Sequence, residues 1–117
     1  MTRHAHILIV EDEVNIRSAL VTMLVKLGHR VQGAATAEEG LVLLEHTRMD
    51  LVITDLRMPG LGGMEFLRRM KEQWPETEAV VMTAFGSIDT AVEAMRLGAY
   101  DYLTKPIDDV QLLARLR

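Results

Sequence analysis

The sequence has 117 residues, 49% of them hydrophobic and 26% charged, which suits one compact domain with a single core and leaves no room for a second. Its net charge of -4 argues against nucleic-acid binding by this segment, because phosphate contacts need a basic surface. The absence of cysteine excludes disulfides, a thiolate metal site and a cysteine nucleophile and fits a cytosolic protein, and no apolar run reaches the length of a membrane span or makes the start a signal peptide.

Ile7, Leu8, Ile9 and Val10 form a short run of branched apolar residues closed by acids. They read as a strand buried on both faces, as in a parallel sheet. Ile16, Leu20, Met23, Leu24 and Leu27 recur at helical spacing, and Gly28 stands where that helix stops. Residues 31–35 are a second, weaker strand. Thr36 and Glu39 have the spacing of a capping box and open a helix that carries Leu41 and Leu44 and ends near Thr47. Leu51, Val52, Ile53 and Thr54 make the third strand, which ends in Asp55. Pro59, Gly60, Gly62 and Gly63 then give a turn-rich loop.

Met64, Leu67 and Met70 mark the inner face of the next helix, ended by Pro75. Residues 79–82 are the fourth strand, ending in Thr83. Ser87 caps a helix with Ala91, Val92 and Met95 inward, and Gly98 closes it. Residues 100–103 are the fifth strand, followed by Lys105 and Pro106. Asp108 and Asp109 suit the positive start of a final helix. That helix still runs at Arg117, so the natural chain is expected to continue. Among the remaining residues, the eight methionines read as core filler and interface material, Trp74 as a helix-end anchor, and Arg68, Arg69 and Lys71 as a solvated helix face. His4, His6, His29 and His46 lack metal-like grouping and read as exposed or loosely packed.

Five strands alternating with five helices imply right-handed crossovers and a parallel sheet covered on both faces. In such a doubly wound α/β sandwich the site lies outside the carboxyl ends of the strands. Glu11 and Asp12 end the first strand, Asp55 the third and Thr83 the fourth, while Lys105 follows the fifth. Converging carboxylates repel one another, and a hard divalent cation relieves the repulsion. Oxygen ligands without His or Cys favour magnesium over zinc. Asp12 and Asp55 supply carboxylates, with a backbone carbonyl near Arg57 as a further oxygen. A carboxylate nucleophile, a cation, an ammonium and a hydroxyl together suit phosphoryl transfer, which mainly needs positioning and charge neutralisation. Each residue alone has a plainer reading: a solvated acidic turn, a helix cap, a polar strand end, a surface lysine. Their joint placement at strand ends favours the site.

The motifs are Ile-Leu-Ile-Val-Glu-Asp-Glu from Ile7, Asp-Leu-Val-Ile-Thr-Asp-Leu-Arg-Met-Pro-Gly from Asp50, Val-Met-Thr-Ala-Phe from Val81, and Asp-Tyr-Leu-Thr-Lys-Pro from Asp101. On these the chain resembles, over essentially its whole length (residues 1–117), the receiver domain of bacterial two-component response regulators, and the stretch from Met82 to Pro106 resembles the NtrC-like subgroup. The resemblance implies a flavodoxin-like (CheY-like) fold, a five-stranded parallel sheet of order 2-1-3-4-5 with helices on both faces. It implies Asp55 as phosphoacceptor, Glu11 and Asp12 as the acidic magnesium pocket, and Thr83 and Lys105 as the switch pair. Glu11 stands where Asp is commoner, so Asp12 is the better direct ligand and Glu11 reaches the metal through water. Tyr102 takes the position of the strand-five aromatic that turns inward on phosphorylation; otherwise it is a half-buried tyrosine with a wet hydroxyl. A cis peptide at Lys105–Pro106 is also implied.

The implied partners are a sensor histidine kinase and an output domain, in the NtrC-like subgroup an ATPase and DNA-binding pair that activates sigma-54 transcription. The helix 4, strand 5, helix 5 face is the expected readout, by homodimerisation or by contact with that output domain, in the cytoplasm. Three rivals fit the residues less well. An aspartate-nucleophile phosphatase would carry a second Asp where Arg57 stands. A nucleotide- or flavin-binding domain would need a glycine-rich loop where Glu11, Asp12 and Glu13 stand. A receiver that no longer accepts phosphate would act only as a docking module, and the complete set Asp12, Asp55, Thr83 and Lys105 argues against it. Arg57 and Phe85 flank the site as candidate tuners of phosphoryl lifetime.

Overall fold

Strand and helix alternate as the residue patterns require. The computed structural model describes residues 4–83 and 88–108. In it β1 (His6–Val10), α1 (Val14–Lys26), β2 (Arg30–Ala34), α2 (Ala37–His46) and β3 (Leu51–Asp55) are followed by α3 (Gly63–Gln73), β4 (Glu78–Thr83), α4 (Ile88–Arg96) and β5 (Asp101–Thr104). The five strands are all parallel, in the order β2-β1-β3-β4-β5, with four helices among the described residues. The expected final helix, with Asp109, and the expected cap Ser87 lie outside the described residues, as does Phe85.

Side chains alternate across the pleat, so each central strand feeds two cores. Leu8, Val10, Val52, Ala79 and Val81 face one way and pack with Ala37, Leu44, Phe66, Leu67, Met70 and Ala94 from α2, α3 and α4. Ile7, Ile9, Leu51, Ile53, Val80 and Met82 face the other way, against Leu20 and Leu24 of α1. Strands buried on both faces explain why β1 and β3 read as unbroken apolar runs rather than alternating ones. Phe66, not singled out in the sequence, is the largest fully buried side chain among the described residues; Met49, Met70 and Met82 are buried as core filler. Trp74 is the C-cap residue of α3 and packs on the edge of the core.

Several local expectations change. Val92 and Met95 are not inward but exposed, and Leu27, the last of the first helical series, is the C-cap residue of α1 and exposed. The inner stripe of α4 is made by Ala91 and Ala94, small residues that let the helix lie close to the sheet and turn Val92 and Met95 to solvent. His29 is buried, and its Nδ1 accepts the Ala5 N–H at 3.0 Å. Lys71 is no solvated charge: its Nζ donates to the carbonyls of Pro75 and Thr77, both at 3.0 Å, closing the chain beyond α3. Arg68 and Arg69 do lie at the surface, paired with Glu65 and Glu72 one turn away, an arrangement worth little in water. At the start of α2 the Thr36 Oγ accepts the Glu39 N–H at 3.0 Å, while the Glu39 carboxylate reaches back to the N–H of Ala35 rather than Thr36. The box thus forms with its return bond one residue early.

Candidate functional site at the carboxyl edge

The parallel register brings the strand ends together. Val10 pairs with Thr54, so Glu11 and Asp12 leave the sheet beside Asp55. Asp55 pairs with Met82, placing Thr83 one residue beyond, and Thr83 pairs with Thr104, after which Lys105 follows. Carboxylate oxygens of Glu11, Asp12 and Asp55 all lie within 4.8 Å of one another. The Lys105 Nζ sits between two of them, 2.7 Å from Asp55 Oδ2 and 2.8 Å from Glu11 Oε1. The sequence marks Lys105 as the ammonium of the site but carries no sign of its bond to Glu11.

The acids differ in setting. Glu11 is 1% exposed and Asp55 5%, whereas Asp12 is exposed. Burial pushes the Glu11 carboxyl above the usual range; the Lys105 ammonium and the Glu13 N–H oppose this, and the Asp55 charge adds to it. For Lys105, burial favours the neutral amine, but hydrogen bonds to Asp55 and Glu11 outweigh it and hold the ammonium above its ordinary value. Three carboxylates thus face one ammonium, an oxygen-rich site with excess negative charge that suits a hard divalent cation.

The surrounding backbone is tightly arranged. The Arg57 N–H donates to Asp55 Oδ1 at 3.0 Å, and the Arg57 side chain is exposed. The Lys105 N–H donates to the Thr83 carbonyl at 3.0 Å, and the peptide bond from Lys105 to Pro106 is cis, as expected. Thr83 is 4% exposed, whereas Tyr102, on β5 opposite Val81, is 39% exposed. Residues 84–87, which follow Thr83, lie outside the described residues. Two contributors were missed in the sequence. Gly63 opens α3 so close to the end of β3 that a Cβ there would lie 2.1 Å from the Asp55 carbonyl oxygen; the Gly62-Gly63 pair was its only signal. Arg17 of α1 donates from its guanidinium to the Glu11 carbonyl at 2.7 Å, and nothing in its spacing marks it.

Comparison with known proteins agrees with this geometry. The family described as response regulator receiver domain matches residues 7–117. The response regulator protein FleR of Pseudomonas aeruginosa is 41% identical over 109 residues, covering 93% of this chain and 23% of FleR. The transcriptional regulatory protein FixJ of Bradyrhizobium diazoefficiens is 39% identical over 116 residues, covering 99% of this chain and 57% of FixJ. The crystal structure of NtrX from Brucella abortus in complex with ADP superposes with a TM-score of 0.93 at 36% identity, covering 98% of this chain and 27% of that one. The chain therefore spans about a quarter of the length of FleR and NtrX. It belongs to the response regulator receiver family, the signalling domains of two-component systems, and is similar to its NtrC-like members.

Proposed function

We propose that the chain is a phosphorylation-controlled switch in which Asp55 accepts a phosphoryl group from a sensor histidine kinase. The observation that carries this reading is the convergence of three carboxylates on one another, with the Lys105 ammonium bonded to Asp55. An Asp55 oxygen attacks phosphorus, a phosphorus–oxygen bond forms, and the bond to the donor breaks with its electron pair leaving on the donor. An ionised carboxylate needs no general base. Lys105 turns from its carboxylate partners to the incoming phosphoryl oxygens, and the Thr83 hydroxyl donates a hydrogen bond to one of them.

The donor set fits magnesium: only hard oxygens, close together and carrying more negative charge than Lys105 balances. Asp12 and Asp55, with the Arg57 carbonyl, would hold the ion directly. Glu11, both of whose carboxylate oxygens are engaged by Lys105 and the Glu13 N–H, would act through water. When bound, the ion neutralises charge on the transferring group.

The phosphoryl group shifts a pre-existing balance in which Thr83 is drawn toward Asp55 and Tyr102 turns inward. The exposure of Tyr102, Val92 and Met95 supports a readout on α4 and β5 that dimerises or contacts an output domain. In a longer, NtrC-like chain that output would be an ATPase with a DNA-binding module activating sigma-54 transcription. This segment, with a net charge of -4, would bind neither nucleic acid nor membrane. Among the described residues no helix is long and apolar enough to cross a membrane, and a cytoplasmic location accords with the reading. The domain is no enzyme in the ordinary sense, although its own residues carry its magnesium-dependent phosphorylation and dephosphorylation.

Intact-mass analysis after incubation with magnesium and acetyl phosphate, beside Asp55→Asn, is the test. One phosphoryl group, added only with magnesium and absent from the variant, is the expected result. A folded, magnesium-binding protein that takes up none would leave the docking-module reading.

A further inference from the structure

Every polar group of Glu11 has a partner. Its N–H donates to the Ala34 carbonyl at 3.0 Å, Oε1 meets Lys105 at 2.8 Å, Oε2 accepts the Glu13 N–H at 3.0 Å, and its carbonyl accepts from Arg17 at 2.7 Å. Three of these partners belong to the adjoining strand, the loop itself or the site. Only Arg17 reaches in from the body of a helix, and its bond is charge-assisted, of the stronger kind.

We propose that Arg17 is a positioning residue for the acidic pocket: by pinning the Glu11 carbonyl it sets the direction in which the Glu11 and Asp12 carboxylates leave β1, and so sets the affinity for the divalent cation. This rests on the cation reading of the site given above. Two further observations support it. The arginine stem lies along β2 where Gly33 offers no side chain; a Cβ on Gly33 would lie 3.2 Å from Arg17 Cδ and 3.3 Å from Cγ. The arginine also does little for its own helix. It sits near the amino end of α1, which has no acidic residue in its first turn and no side-chain cap, and a cation there opposes the helix dipole.

The sign of the effect separates positioning from simple charge. As a bare charge near the pocket, Arg17 repels a cation, and removing it would tighten magnesium binding. As a positioning group, its removal loosens the pocket and weakens binding. Arg17→Met keeps the stem and loses the donor. Magnesium affinity is measured by titration calorimetry, beside the thermal midpoint in magnesium-free buffer. The expected result is binding weaker by about tenfold, the lower end of what loss of a group supporting a metal ligand produces, with most of it restored in Arg17→Lys. Unchanged or tighter binding in folded Arg17→Met would overturn the proposal. Should that variant not fold, Arg17→Gln decides, because its side chain stays polar but is shorter than the arginine that spans to the Glu11 carbonyl: weaker binding supports the proposal and unchanged or tighter binding overturns it. A wild-type chain that binds no magnesium at all would overturn the cation reading itself, a result distinct from any difference among the variants.

Discussion

At the amino edge of the sheet, polar side chains close the backbone. His29 accepts the Ala5 N–H at 3.0 Å, Asp50 accepts the His6 N–H at 2.8 Å, Thr77 donates to the Met49 carbonyl at 2.9 Å, and Lys71 ties down the carbonyls of Pro75 and Thr77. At the carboxyl edge, charged side chains face one another. Lys105 bonds across the site to Asp55 and Glu11, and three carboxylates crowd within 4.8 Å. One edge spends its polar groups on unpaired backbone, which stabilises the fold. The other keeps an excess of negative charge that a folded protein would avoid were stability the only demand.

Four measurements would break or sharpen this contrast. The largest effect is expected at Gly63, where a Cβ would lie 2.1 Å from the Asp55 carbonyl oxygen and 2.5 Å from Leu56 Cα. Backbone cannot yield as a side-chain end can, so Gly63→Ala should cost about 3 kcal/mol or more, at or beyond the upper end for overpacking, and should also impair phosphoryl uptake at Asp55. Urea denaturation at wild-type stability would show that α3 can slide away from β3.

Next comes the cation. If the carboxyl edge is destabilised by its own charge, magnesium should raise stability, by about 2.7 kcal/mol at a hundredfold excess over its Kd, and chelation should reverse this. A urea midpoint indifferent to saturating magnesium would contradict the account of that edge. At the amino edge, Thr77→Val removes the bond to the Met49 carbonyl and should cost about 1 kcal/mol, leaving magnesium affinity and uptake at Asp55 unchanged; a loss of uptake would mean that the edges are coupled.

The smallest expected effect concerns pH. Burial first, and His4 second, push His29 below its ordinary pKa of 6.5. The folded chain then holds this proton less readily than the unfolded chain, so the contribution of His29 is complete above about pH 6.5 and is lost as pH falls through its depressed value. His29→Gln retains an acceptor for the Ala5 N–H without a titrating group. Its stability should therefore decline less than that of the wild type on going below pH 6.5, and parallel curves from the two proteins would refute the assignment.

Much of the fold was legible because its signals are local. The acids stood directly after branched apolar runs, the Thr36 and Glu39 spacing announced α2, and Gly28 and Gly98, both at positive φ, marked helix ends. The candidate site was legible because a parallel sheet gathers all strand ends at one edge. What escaped was relational. Val92 and Met95 fit a helical stripe as well as Ala94 does, and only the closeness of α4 to the sheet selects the alanine. His29 resembles any polar residue after a helix until the Ala5 N–H appears beside it.

The amino-acid sequence by itself determined the alternation of strands and helices and the chemical types gathered at the carboxyl edge, since both follow from the order of side chains along a few residues. Only the tertiary structure decided that Lys105 bridges to Glu11, 94 positions away, that Gly63 must be bare, and that Arg17 reaches the Glu11 carbonyl over Gly33. Such pairings depend on strand register and on how each helix turns on the sheet, and these are set by packing the two cores together rather than by any single segment.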